Sequence, residues 1–217
     1  MNHSLTESWY SVIDWLKLHC EDLIHEIWAD AWEHDHDWSL IENQLGCCVP
    51  LDLKLFYQLQ RGQQSRRFGG IFFGMRLLSF DKLVETWDEW RGLGMFNEAF
   101  AEDTFSTPPG YVKPQYSNPY WIPFASDEFG NHIAVDLDPD HLGDYGQIIV
   151  YGHEEYEKKR LANNINAFIH LFRDQLISHG VYYSHSRSFS YEDGTNVHYI
   201  DRFSHLFNDY ETLSRSA

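Results

Sequence analysis

The chain has 217 residues, of which 43% are hydrophobic and 17% aromatic, and a formal net charge of -17. It contains no run of about 18 apolar residues, which excludes an ordinary membrane-spanning helix. The acidic balance argues against free nucleic acid and anionic membranes as partners, because phosphate binding rests on Lys and Arg.

In chain order, Trp9, Val12, Ile13, Leu16, Cys20, Leu23, Ile24, Ile27 and Ala31 recur at steps of three and four. This spacing predicts an amphipathic helix of roughly seven turns with Ser4 or Thr6 as its N-cap. Trp15, Trp28, Trp32 and Trp38 lie partly off the stripe and are expected mainly in the core. Residues 1–40 hold nine acids against one base, Lys17, a local charge of -8. This segment reads as a solvated helix face. Its sharper reading is a docking face for a basic protein, formed by Glu21, Asp22, Glu26, Asp30, Glu33, Asp35 and Asp37 with Trp28 and Trp32.

A short helix is expected at Leu40 to Leu45. Another opens at Val49-Pro50 with Leu51, Leu55, Phe56 and Leu59 on one face, and Gly62 suits its stop. The Gly-rich apolar stretch Phe68 to Leu78 reads as one or two strands. Ser79 or Asp81 caps a helix with Leu83, Val84, Trp87 and Trp90 inward, ended by Gly92 and Gly94. Residues 95–117, with Pro108, Pro109, Gly110 and Pro114, form a connection long enough to be functional or mobile.

Tyr120 to Ala125 and Ile133 to Leu137 flank Ser126-Asp127-Glu128-Phe129-Gly130-Asn131, which reads as a hairpin turn. Ile133, Val135 and Leu137 alternate with His132, Ala134 and Asp136, so one face should meet a core. Pro139, Gly143 and Gly146 mark a second connection before a third strand, Gln147 to Tyr151. This antiparallel meander is expected at the centre of an α+β fold. Leu161, Ile165, Phe168, Phe172 and Leu176 define a helix packed on the sheet. Arg187 to Ile200 carries a further hairpin signal around Glu192-Asp193-Gly194, and Asp201 to Leu213 suits a closing helix.

Little points to chemistry. Neighbouring residues of His34-Asp35-His36-Asp37 point in different directions on a helix, so a polar helix end is the better reading than a metal cluster. His25-Glu26 lacks the second His of a zinc-protease motif, since Ala29 stands there. Asp136, Asp138 and Asp140 lack the Gly and terminal Glu of an EF-hand loop. No nucleophile elbow, phosphate loop or dinucleotide fingerprint occurs. Neither an enzyme nor a cofactor or metal is therefore expected, although an unrecognised enzyme or small-ligand protein stays among the alternatives. Cys20, Cys47 and Cys48 are odd in number and have no zinc spacing, which suits reduced thiols in a cytoplasm. The N-terminus has no basic region before an apolar core, so no secretory signal is expected.

Trp121-Ile122-Pro123-Phe124, Gly130-Asn131, Ile133-Ala134-Val135-Asp136-Leu137 and Gly146-Gln147-Ile148-Ile149 together resemble the SUKH superfamily, most of all its branch named for the fungal cell-wall assembly regulator. Val49-Pro50-x-Asp52-x-Lys54-x-Phe56-Tyr57 resembles that family's early helix, and Leu77-Leu78-Ser79-x-Asp81-x-x-Val84-x-x-Trp87 its strand-to-helix step. The family's early helix normally ends in an Asn-Gly type loop, and here Gln60-Arg61-Gly62 stands instead. The resemblance covers about residues 38–178, leaving 1–37 as an acidic helical extension and 179–217 as a C-terminal hairpin and helix extension.

The resemblance implies a central antiparallel (mixed) sheet packed by helices, no catalytic apparatus, and a role in binding proteins. Two roles follow from it: a bacterial immunity protein that neutralises a toxin, and a cell-wall signalling scaffold. The long disordered flanks usual in the fungal members are missing here, and an acidic binder suits a basic nuclease toxin; both points favour the immunity role. Trp121, Pro123, Gly130, Asn131, Asp136 and Gly146 are expected to serve the architecture rather than a contact surface.

Overall fold

The structure is a computed structural model, and residues 4–27, 36–63, 69–127, 129–178, 180–183, 188–198 and 203 are described. Helix α1 (Leu5–His19) starts at Ser4, whose hydroxyl accepts from the Glu7 backbone while the Glu7 carboxylate accepts from the Ser4 backbone. This reciprocal cap satisfies two of the helix's free N–H groups. The predicted continuous helix breaks at Cys20, whose N–H closes α1 on Leu16 and whose carbonyl receives Leu23 and Ile24 to start α2 (Glu21–Ile27). The break keeps Leu16, Cys20, Leu23, Ile24 and Ile27 in one core, which a straight rod would carry past it.

Helix α3 (Ser39–Leu45) ends at Gly46, whose φ of 68° suits a residue without Cβ. Helix α4 (Leu51–Gln58) follows Pro50, and it stops four residues before Gly62. Strand β1 is only Arg76–Leu77. The expectation of longer strands over 68–78 fails because residues 70–75 fold back on themselves, pairing Gly70 with Gly74 and Phe72 with Met75. That knot drives Phe72 and Phe73 into the core, where they meet Phe124, Phe168 and Phe172 edge-on. Ser79 caps α5 (Phe80–Arg91), which runs into a 3-10 turn at Gly92–Phe96.

Strands β2 (Phe105–Thr107), β3 (Trp121–Ser126), β4 (Asn131–Asp136), β5 (Gln147–Gly152) and β6 (Glu157–Ala162) complete a six-stranded sheet ordered β1-β3-β4-β5-β6-β2. The pairs are antiparallel except β2, which lies parallel to β6 at one edge. The expected hairpin forms, with Trp121 opposite Asp136 and Ile122 opposite Val135. Its register shifts between Pro123 and Ala125, where a proline lacking an N–H is tolerated. Two strands of this sheet are not expected from the sequence. β2 sits inside the long connection, and β6 claims Leu161, which the helical spacing had assigned to α6 (Ile165–Ser178).

Helix α6 lies against β5 and β6, with α1 and α4 packed on α6, and these helices share one core with Ile122, Phe124, Ile133, Val135, Ile148, Val150 and Leu161. The Asn164 side chain accepts from the Ala167 backbone (2.9 Å) and so caps the start of α6. The C-terminal hairpin signal is realised differently from the expectation. Its turn closes through Tyr191 and Thr195, but β8 (Phe189–Ser190) pairs mainly with β7 (Tyr182–Tyr183). The closing helix proposed for 201–213 lies outside the described residues, apart from buried Phe203.

Candidate interaction site

The second face of the sheet is not left to solvent. All six residues of β4 are buried: one face meets a core as expected, and the face with His132, Ala134 and Asp136 lies under a second apolar layer. That layer consists of Trp90 from α5 and of Val112 and Tyr116 from the connection, lying over Trp121, Ala134, Ile149 and Tyr151. The connection 95–117 is thus a packed lid on the sheet rather than a mobile insertion.

Two polar systems pin this lid. At one end, the Asp136 carboxylate accepts from the Gln147 amide (2.8 Å) and the Asp138 backbone (2.9 Å), and the same amide nitrogen donates to the Tyr111 carbonyl (2.7 Å). Asp138 pairs with Lys113 (2.5 Å) and accepts from Asn118 (2.9 Å). Arg160, buried against the Tyr111 ring, reaches Asp144 (2.5 Å) and Asn163 (2.8 Å). Burial raises the Asp136 carboxyl to about 6, against the opposing pull of its hydrogen bonds.

At the other end, His132 lies between Trp90 and Tyr151, with ring centroids 5.2 and 5.1 Å away. Neither of its ring nitrogens, nor the Tyr151 hydroxyl, has a hydrogen-bond partner among the described residues. Burial, then the neighbouring His153, lowers its pKa to about 3, so the imidazole is neutral. His153 holds the lid from outside through its Nδ1, 2.6 Å from the Tyr116 hydroxyl, and its ring packs 4.9 Å from Trp90. Lys158, fully buried beneath the lid, donates to the Glu155 carbonyl and lies 6.0 Å from the Trp121 ring. Burial lowers its pKa to about 8.

The motif residues supply the joints of this arrangement. Gly130 has φ of 93°, and a Cβ there would sit 2.1 Å from the His153 ring. Asn131 donates to Asp127 (2.7 Å) and accepts from the Glu154 backbone (3.1 Å), which closes the turn. Gly146 has φ of 87°, and a Cβ there would sit 3.2 Å from the Pro50 ring. Trp121 lies 5.3 Å from Tyr151.

The acidic set is only partly visible. Trp28, Asp30, Trp32, Glu33 and Asp35 lie outside the described residues, as does His34. Glu21, Asp22 and Glu26 fall on α2; Glu21 is exposed and Glu26 accepts from Gln63 at 3.4 Å. Asp37 accepts from the Ser39 backbone at the start of α3. His36 bonds the Tyr57 carbonyl (3.2 Å) and stacks on Phe80, which is a packing role. Asp136, Asp138 and Asp140 each serve a different partner, and no group of three or more His, Cys, Asp or Glu among the described residues is placed to hold a metal ion. No helix among the described residues is long and apolar enough to cross a membrane.

The sequence placed Trp90 inward on its helix, as the structure has it, but did not show that Trp90 and Tyr116 form a lid over His132, Tyr151 and Lys158, with His153 and Arg160 at its ends. The available signal was His132 and Asp136 on one face of β4 combined with aromatic residues in the connection. No spacing rule joins the two.

Residues 34–170 match the model of the SMI1 / KNR4 family (SUKH-1). The chain is 31% identical over 176 residues to the "Cell wall biosynthesis/cell cycle regulator smi1" of Schizosaccharomyces pombe, covering 76% of this chain and 34% of that protein. It is 26% identical to the "Glucan synthesis regulatory protein" of Neurospora crassa, covering 80% and 38%. It is also 26% identical to the "Cell wall assembly regulator SMI1" of Saccharomyces cerevisiae, covering 78% and 40%. The chain thus spans between a third and two fifths of these relatives. Their names overturn the expectation of a bacterial toxin-neutralising protein with a toxin as partner. That expectation rested on acidic charge and short flanks. Charge favours a basic partner without specifying which, and flank length carries no weight where the chain spans so little of its relatives.

Proposed function

The chain belongs to the SMI1/KNR4 family (SUKH-1), and from that premise we propose that it is a non-catalytic regulatory module that acts by binding another protein in the control of cell-wall or glucan synthesis. The observation that carries the proposal is the shared sequence with three fungal regulators over at least three quarters of this chain. The rigid, two-face-covered sheet and the net charge of -17 support a binding role directed at a basic partner. The exposed acids Glu21 and Asp37 are proposed contributors to that field. We place the protein in the cytoplasm, a reading supported by three free cysteines. The family match runs over residues 34–170, and α1, which precedes it, shares the core of α6.

The test is a chimaera in which this chain replaces the matched segment of the Schizosaccharomyces pombe relative, expressed in cells lacking that protein. Restored wall glucan content and growth under wall-digesting enzyme are expected. A chimaera that accumulates normally yet leaves cells like the deletion strain refutes the proposal.

A further inference from the structure

The outer surface of the lid carries a feature the architecture does not need. Met95 is 77% exposed and Phe105 54%, with Phe96 and Tyr156 also classed as exposed. These residues fall on one stretch of surface. Phe100 stacks 4.6 Å from Tyr116 and 6.0 Å from Tyr156, its N–H bonds the Phe96 carbonyl, and the Phe105 N–H donates to the Tyr156 carbonyl. Strand β2, which bears Phe105, is the last strand of the sheet, so among the described residues no strand lies beside its outer edge. Anchored below by Tyr116 and Trp90, the patch is held in shape before any partner arrives. Exposed aromatic and Met side chains grouped in this way mark contact surfaces.

The charge around the patch is of one sign. Residues 92–112 contain Glu98, Glu102 and Asp103, all exposed, and no Lys, Arg or His. The nearest cations are engaged elsewhere: Arg91 with Asp88 (2.7 Å), Lys113 with Asp138 (2.5 Å), Lys159 with Glu157 (3.1 Å), and Lys158, buried beneath the lid, with the Glu155 carbonyl. A second copy of this chain would bring the same acids face to face, and an anionic lipid or nucleic acid would meet the same repulsion.

We propose that this surface, Met95, Phe96, Phe105 and Tyr156 rimmed by Glu98, Glu102 and Asp103, docks a cationic segment of a partner protein that carries bulky apolar side chains between its Lys or Arg residues. The inference rests on the protein-binding reading and names its surface and partner chemistry. The apolar side chains give the contact its energy, and the acidic rim sets the sign of the partner and its rate of arrival.

A fluorescein-labelled peptide of alternating Lys and Leu is the probe, with a Glu-for-Lys and a Ser-for-Leu peptide as controls, against the full chain. Backbone amide shifts on titration are expected at residues 95–105 and at Tyr156. Met95→Ser/Phe105→Ser and Glu98→Lys/Glu102→Lys/Asp103→Lys should each weaken the Lys/Leu peptide by at least about tenfold. Leu18→Ser, at a side chain 81% exposed elsewhere, should leave affinity unchanged. Both control peptides should bind weakly. Unchanged affinity in either patch variant, or shifts confined to α1 and α2, overturns the assignment while leaving a protein-binding function standing. The same double variant placed in the chimaera separates the two levels. Loss of restoration with unchanged thermal stability supports the patch, full restoration overturns it, and failure of the unmutated chimaera instead sinks the functional reading.

Discussion

Strand β4 carries two buried titratable groups on its lid-facing side, and their effects on stability oppose each other. His132 has a folded pKa near 3 against an ordinary value of 6.5. As pH falls below 6.5 the unfolded chain takes up this proton and the folded chain does not, so stability is lost on acidification. Between pH 6.5 and about pH 4 that loss is about 3 kcal/mol. Asp136 has a folded pKa near 6 against 3.8. The folded chain holds this proton more tightly, so stability is gained as pH falls from about 6 towards 3.8. Over the same range that gain is about 2 kcal/mol. In the native chain the two slopes largely cancel. His132→Phe removes the first and should leave a protein that grows more stable by about 2 kcal/mol from pH 6.5 to about pH 4, relative to the common background. Asp136→Asn removes the second and should leave one that loses about 3 kcal/mol across that range. Urea unfolding followed by tryptophan fluorescence at closely spaced pH values measures all three profiles, and contributions from other groups cancel in the differences. Parallel profiles would refute the argument, because they would mean that neither proton is bound differently by the folded and unfolded chains.

Gly130→Ala meets both a φ of 93° and the His153 ring at 2.1 Å, so a cost of about 2 kcal/mol and a melting temperature lower by about 4–8 °C are expected. Gly152→Ala should cost more, because its Cβ would lie 2.5 Å from the Asn131 backbone, which cannot swing aside as a side chain can; thermal melts rank the two. Asn164→Ala strips the cap from the Ala167 amide and should cost about 1 kcal/mol, with hydrogen exchange accelerating first at the start of α6. Trp90→Ala opens the lid's largest contact and should cost about 3–5 kcal/mol in urea unfolding. Exchange protection should then fall across 111–118 before it falls in β5.

Local signals reached those elements whose fate is decided within a few residues. Ser79 before an amphipathic run and Gly130-Asn131 between two apolar strands each supply backbone chemistry that only one local structure satisfies. The stripe from Trp9 to Ile27 correctly identified the buried residues but not the break at Cys20, because a bend of the axis leaves the spacing of three and four intact. Leu161 illustrates the opposite failure: its spacing to Ile165 and Phe168 suits a helix, yet pairing with β5 holds it in a strand.

What the chain determined by itself is the family pattern, the α+β class and the hairpin at the sheet's centre, since alternation, turn residues and caps act over short separations. Tertiary structure decided everything that depends on who covers whom. Whether His132 and Asp136 meet water or an apolar lid, whether 105–107 is loop or strand, and which face of 92–107 stays open all depend on contacts between residues far apart in sequence, such as Trp90 with Tyr151 and Thr107 with Lys159. Burial is a property of the assembled layers, and no window of neighbouring residues contains it.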